Sequence, residues 1–408
     1  MNHTAVPTKR QQEFLDWEFG VFFHFGIRTF YEGHRDWDGK EMPLSGFFPT
    51  DLDCEDWIKT SKEAGAKYAI LVCKHHDGFA NWPSAYTEYS VKNTPWKDGQ
   101  GDVVREFTDA CRKYDMKVGL YYSPAEFGFN ERTDEEYDDY FINQISELLT
   151  NYGKIDYLWF DGCGSEDHEY NQERIVKELR RMQPDMLIFN MWDPDTRWVG
   201  NEDGVAPSPN FNYVEDLSFS VQTDRRDALS TRSYLPAECD CKMRQENWFY
   251  SDFDEDTVKS VDELMGLYYY SVGRGANLLL NIGPDRRGRL PEKDKARLLA
   301  FGKEVRRRFQ NPLPVTVSQE GNCLICDFDR VTAVNHIVLA ENLLAGKELD
   351  GFEIIAYEYA QPPVVLYHGR TVGHKSICRF ETMLVKKLVI RFQEENPQIT
   401  SVKCYYVQ

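Results

Sequence analysis

Apolar positions along this chain come in two textures. Up to about residue 310, short runs of consecutive apolar residues alternate with stretches in which apolar positions recur every three or four residues. The first texture suits strands buried on both faces and the second suits helices with one buried stripe, so their alternation predicts βα units around a parallel sheet. The expected strands are 20–25, 68–74, 117–123, 155–160, 186–191, 233–239 and 277–282, and the expected helices are 55–64, 102–114, 134–152, 172–182, 257–271 and 291–308. Seven strands at this spacing predict an α/β (β/α)8-like, TIM-type barrel with one degraded repeat, over residues 1–310, with segment 211–221 as the place for the missing strand. After Asn311-Pro312-Leu313-Pro314 the pattern changes to β-branched and aromatic runs without an amphipathic helix, which predicts a C-terminal antiparallel β-sandwich domain over residues 315–408.

Composition narrows the partners. A net charge of -19 argues against nucleic acid, which needs concentrated Lys and Arg. Aromatic residues make up 14% of the chain, including nine Trp and 23 Tyr, and flat rings beside polar groups suit a sugar cleft as readily as a core. Met1 to Asp16 is polar and lacks the apolar core of a secretory signal, and no stretch has the ~20 apolar residues that span a bilayer, so a cytoplasmic, membrane-free protein is the expectation. Ten cysteines without a regular framework, some inside apolar segments such as Cys73 and Cys111, fit buried thiols in a reducing compartment. Cys323 and Cys326 have CxxC spacing but no second pair to complete a metal site. No cofactor is expected, and the sequence leaves a homo-oligomer open.

In a barrel, the residues that finish the strands face the ligand. The first strand ends in Phe22-Phe23-His24-Phe25-Gly26, the second in Lys74-His75-His76-Asp77-Gly78, the third in Tyr121-Tyr122-Ser123-Pro124 and the fourth in Trp159-Phe160-Asp161-Gly162. A lone Asp before Gly is ordinarily a turn, but four successive polar endings are hard to attribute to turns alone. His75 and His76 invite a metal reading, yet neighbouring side chains on a strand point to opposite faces, so both rings converge on one ion only if the strand has already ended. Neutral donors and acceptors among aromatics match a ligand dense in hydroxyl groups.

Glycoside hydrolysis usually needs two carboxyl groups, ~5–5.5 Å apart in retaining and ~6.5–9.5 Å apart in inverting enzymes. Asp161 is the candidate nucleophile. For the acid/base, Glu202 shares its loop with Trp192 and Trp198, an apolar setting that would keep a carboxyl protonated, while Glu238 is the fallback and Glu215, in a polar loop, ranks behind both.

These segments together resemble the family 29 glycoside hydrolases, the retaining α-L-fucosidases. The resemblance runs through the four strand endings above, Phe48-Pro49-Thr50, Ala64-Gly65-Ala66-Lys67-Tyr68 and Gly275-Ala276-Asn277-Leu278-Leu279-Leu280-Asn281, and covers about the first 310 residues. It implies that Asp161 attacks the anomeric carbon of L-fucose, that His24, His75, His76 and Tyr121 hold its hydroxyls, and that Trp248 packs on the ring. Asp36-Trp37 stands where the family commonly has Glu-Trp, so that the shorter Asp36 must reach farther toward a hydroxyl. Glu238 is counted among the substrate contacts as well as being the fallback acid. The Trp198-Val199-Gly200-Asn201-Glu202 pattern resembles the subgroup that prefers α-1,3 and α-1,4 linkages, with Glu202 as its acid/base. The expected partner is therefore a fucosylated oligosaccharide or glycoconjugate. Two other classes stay open at this level: an inactive carbohydrate-binding barrel, and a metal-dependent hydrolase built on His24, His75 and His76.

Overall fold

The computed structural model describes residues 6–33, 40–127, 131–165, 168–218, 226–357 and 362–408. Its helices are α1 (Lys9–Trp17), α2 (Cys54–Ala64), α3 (Val103–Lys113), α4 (Asp134–Asn151), α5 (Gln172–Met182), α6 (Val261–Tyr270) and α7 (Glu292–Phe309). Six of them start after a Ser, Thr, Asp or Asn whose side chain accepts a backbone N–H of the first turn: Thr8, Asp53, Asp102, Thr133, Asn171 and Ser260. The seventh follows Pro291, which has no N–H to leave unsatisfied.

The strands of the first part are β1 (Phe19–Phe23), β2 (Tyr68–Lys74), β3 (Lys117–Tyr122), β4 (Tyr157–Phe160), β5 (Leu187–Phe189), β6 (Arg197–Trp198), β7 (Tyr213–Ser218), β8 (Arg226–Tyr234), β9 (Ala237–Lys242) and β10 (Asn277–Asn281). Eight of them form one parallel sheet in the order β5-β4-β3-β2-β1-β10-β9-β6. A parallel bridge between Phe189 and Thr196 brings its outer strands together into a barrel. The eighth strand is therefore the two-residue β6, too short for any periodicity to reveal. It does not lie in 211–221: β7 pairs antiparallel with β8 as a separate hairpin, and 219–221 fall outside the described residues. The strand expected at 233–239 is likewise two elements, the end of β8 and the start of β9, separated at Leu235 and Pro236.

The barrel interior is aromatic. Phe22, Tyr68, Tyr121, Tyr157, Trp159, Phe189 and Trp198 share one buried cluster with Phe14 and Trp17 of α1, a helix hidden in the polar N-terminal segment, which thus packs its apolar side against the barrel interior. Gly20 makes room for this filling: a Cβ there would lie 2.5 Å from the Tyr68 ring. Replacing Gly20 by alanine would force that ring out of place.

The remaining strands, β11 (Thr316–Glu320), β12 (Cys323–Glu341), β13 (Asp350–Tyr357), β14 (Val364–Thr371), β15 (Ser376–Phe392) and β16 (Ile399–Tyr405), are antiparallel. The long pair β12 and β15 changes register twice, and the network encloses an apolar core that includes Val334, Ile337, Ile354, Leu388 and Ile390, giving the β-sandwich. Cys326 is in this core and Cys323 is half-buried, so the CxxC pair is incidental to a strand, and all ten cysteines are free. Among the described residues no helix is long and apolar enough to cross a membrane.

Candidate active site

Strand ends β1 to β4, the loop after β6 and the end of β9 enclose a cavity of about 450 Å³ lined by Asp161, Glu202, Asp240 and a wall of rings and imidazoles that includes His24, His75, His76, Tyr121, Trp198 and Trp248. It opens at the carboxyl ends of the strands because each apolar strand stops where its last polar residue begins.

Asp161, one residue beyond β4, is held through both carboxylate oxygens. The Cys163 N–H donates to Oδ1 at 2.9 Å, and the Tyr121 hydroxyl donates to Oδ2 at 2.8 Å. His76 Nε2 lies 3.4 Å from the same Oδ2. Burial alone would raise the Asp161 carboxyl, but the His76 charge and these three hydrogen bonds outweigh it and hold the group at about 2. The site therefore keeps Asp161 ionised, as a nucleophile must be.

The three histidines differ in charge state. His76 Nδ1 lies 2.7 Å from Ser123 Oγ, whose proton goes to the Ala125 carbonyl at 2.6 Å, so the ring nitrogen is the donor. With its other nitrogen facing Asp161, His76 is an imidazolium. Burial would discharge it, but Asp161 outweighs that and lifts it to about 10. His24 Nδ1 meets Asn281 Oδ1 at 2.7 Å, while the Asn281 amide donates to the Trp248 carbonyl at 2.7 Å, so His24 donates through Nδ1 and keeps Nε2 as an acceptor. Burial pushes His24 down to about 3, and it pushes His75 well below its ordinary value, with the His76 charge adding to the effect. His75 stacks on Tyr121 at 5.6 Å and 9°. One cationic and two neutral imidazoles thus give the cavity a mixture of donors and acceptors suited to hydroxyl groups.

The expected divergence of His75 and His76 does not occur. β2 ends at Lys74, so both residues have left the strand; their ring centroids are 4.2 Å apart, and ligand atoms of His75, His76 and Asp161 lie within 4.8 Å of one another. His24 is not part of that group.

The two candidate acids are set apart. Glu202 is exposed and lines the cavity, so the apolar shelter expected from Trp192 and Trp198 is not its environment. Glu238 does not line the cavity. It is fully buried in the barrel, accepting hydrogen bonds from Tyr68 at 2.6 Å, Trp159 at 2.8 Å and Tyr157 at 3.3 Å. Burial raises its carboxyl to about 7 despite these donors. Its place is therefore beneath the site, as the anchor of Trp159, which stacks on Tyr121 at 5.4 Å. As a fallback acid/base or a substrate contact, Glu238 is displaced by this geometry. Glu215 lies on β7, in the hairpin outside the barrel sheet. Asp36 and Trp37 lie outside the described residues.

The expected set did not include Asp240, Asn201 and Cys163, which also line the cavity. Asp240 had a legible signal. In Glu238-Cys239-Asp240, alternation sends both acids to one face of a strand, but an expected end at residue 239 cut the second one off.

A crevice carrying an ionised carboxylate and further carboxyl groups at the carboxyl face of a (β/α) barrel has the parts that a glycoside hydrolase needs. The chain belongs to the α-L-fucosidase family, glycoside hydrolase family 29, whose profile, described as Alpha-L-fucosidase, matches residues 2–308. It is 30% identical to Alpha-L-fucosidase 1 of Arabidopsis thaliana over 98% of this chain and 87% of that one. A solved glycoside hydrolase 29 family member from a rumen bacterium superposes with a TM-score of 0.89 at 33% identity, covering 100% of this chain and 78% of the other. SpGH29 superposes with a TM-score of 0.91 at 29% identity over 100% and 99%. The retaining mechanism is general for this family.

Proposed function

We propose that this α-L-fucosidase removes terminal L-fucose from α-1,3- and α-1,4-linked branches of glycans by double displacement. An Asp161 oxygen forms a bond to the anomeric carbon while the bond to the leaving oxygen breaks, and Glu202 gives that oxygen its proton. In the second step Glu202 takes a proton from water, the water oxygen bonds to the anomeric carbon, and the bond to Asp161 breaks. His24, His75, His76 and Tyr121 hold the fucose hydroxyls, with Trp248 against the ring.

The observation that carries this reading is the pairing, in one cavity, of an ionised and three-fold bonded Asp161 with an accessible Glu202. The linkage preference is supported by the Trp198-Val199-Gly200-Asn201-Glu202 pattern. Comparing release from a Lewis-type trisaccharide and a 2'-fucosylated one tests it, and equal rates reject the preference. For the roles, NMR of the first-formed sugar should show the α-anomer. Glu202→Ala should slow a natural oligosaccharide far more than an aryl fucoside with an activated phenol, and azide should restore the two variants differently, giving the α-fucosyl azide with Glu202→Ala and at most the inverted β-fucosyl azide with Asp161→Ala.

A further inference from the structure

The wall of the cavity formed by β6 and β9 carries a second carboxyl group. Trp198 pairs with Glu238, which sets β6 beside β9, and an antiparallel bridge between Asp203 and Cys241 fastens the following loop onto β9. Glu202 and Asp240 each stand one residue before that bridge, so the two acids belong to the same wall. Gly204 makes the close approach possible, because a Cβ there would lie 2.8 Å from Cys241 Sγ. Asp161 and the three histidines come instead from β1, β2 and β4.

Asp240 lines the cavity although only 4% of its surface is exposed. Its Oδ1 accepts the Trp198 indole N–H at 2.8 Å, and no other side chain among the described residues donates to the carboxyl group. Holding the indole does not require a carboxyl group with an oxygen to spare, nor does packing.

The proton donor must sit at the glycosidic oxygen, so the sugar that leaves lies on the Glu202 side. We propose that Asp240 is a specificity-determining residue, whose second carboxyl oxygen bonds a hydroxyl of the leaving sugar and so holds the glycosidic oxygen against Glu202. The inference rests on the assignment of Glu202 as the acid. Burial and the neighbouring Glu202 charge push the Asp240 carboxyl well above the usual carboxylate range. A neutral carboxylic acid can donate to one hydroxyl as well as accept from another, which matches a polyhydroxylated partner rather than an aromatic one.

The test compares two substrates with poor leaving groups: the fucosylated oligosaccharide the wild type cleaves fastest, and phenyl α-L-fucoside, whose leaving group offers only the scissile oxygen. Loss of a proton donor harms both, whereas loss of a contact to the leaving sugar harms only the first. Asp240→Ala should lower the ratio of kcat/KM for oligosaccharide over phenyl fucoside by ~10-fold or more, mainly through KM. Asp240→Asn keeps the shape and an acceptor for Trp198, and should lower the ratio less. Equal losses on both substrates, or an unchanged ratio in both variants, would overturn the inference. Should the Ala variant not fold, an Asn variant with an unchanged ratio overturns it alone. Glu202→Ala, assayed alongside, must slow phenyl fucoside; if it does not, the acid assignment has failed independently of Asp240.

Discussion

His76 and Asp161 form a charged pair, Nε2 to Oδ2 3.4 Å, in which each side chain sets the other's protonation. His76 is raised to about 10, so its contribution to stability is fully present below its ordinary 6.5 and is lost as pH rises through 10. Asp161 is lowered to about 2, so its contribution is present above its ordinary 3.8 and is lost as pH falls through 2. The pair is thus intact across the neutral range, and a limb of the activity profile near neutrality belongs to other groups. Asp161→Asn should reduce kcat by at least ~10⁴-fold while the chain still folds. It should also let burial discharge His76. An NMR titration showing His76 still cationic above pH 9 in that variant would refute the pairing.

The same pair decides how the site responds to metal ions. His75, His76 and Asp161 offer ligand atoms within 4.8 Å of one another. A divalent cation there would have to displace the proton that His76 holds and the Tyr121 hydrogen bond to Asp161, and would tie up the nucleophile. Dialysis against a chelator should leave kcat unchanged, whereas millimolar zinc should inhibit competitively with substrate. Loss of activity on chelation, restored by zinc, would instead support a metal-dependent hydrolase.

Much of this was legible because barrel strands end where their apolar runs end. Asp161, His24 and Tyr121 each close or follow such a run, and their convergence followed from the βα alternation alone. What stayed hidden was short or fell beside a misjudged boundary. β6 has two residues, below the length at which any period shows. The turn at Leu235-Pro236 interrupts an apolar run, and joining its halves misplaced the end of β9 and hid Asp240. The direction of Glu238 was readable by alternation, but its depth depends on three aromatic donors from β2 and β4, which sequence spacing does not bring together.

Behind the histidines lies a buried ion pair whose carboxylate the half-exposed Arg132 also reaches, Nη1 to Oε1 3.4 Å. Lys74 Nζ is 3.0 Å from Glu126 Oε2, which also accepts the Tyr140 hydroxyl at 3.0 Å. Because Lys74 immediately precedes His75 and His76, the pair fixes the point where β2 hands over to the site. Removing one partner leaves an uncompensated charge, so Glu126→Leu should cost about 3–5 kcal/mol in denaturant unfolding and lower kcat. Lys74→Met combined with Glu126→Leu should recover much of that stability. A single variant as stable as the parent would show that the pair is not needed.

Two glutamates outside the site should make stability depend on pH. Glu348 accepts the Asn212 N–H at 2.9 Å, and Glu341 accepts the N–H groups of Leu349 at 3.0 Å and Gly373 at 2.6 Å. Burial raises both carboxyls from 4.5 to about 7 in spite of these donors. A raised carboxyl binds its proton more tightly in the folded chain, so the contribution is fully present below 4.5 and is lost as pH rises through 7. Each group adds a slope of at most about 1.4 kcal/mol per pH unit between those limits. Glu238 has the same sign and is common to parent and variant, so it cancels in their difference. Glu341→Gln with Glu348→Gln should therefore flatten the fall of Tm between pH 5 and 8, even if the amides lower Tm overall by opposing backbone donors. Parallel Tm-against-pH curves for parent and variant would show that neither glutamate titrates in that window.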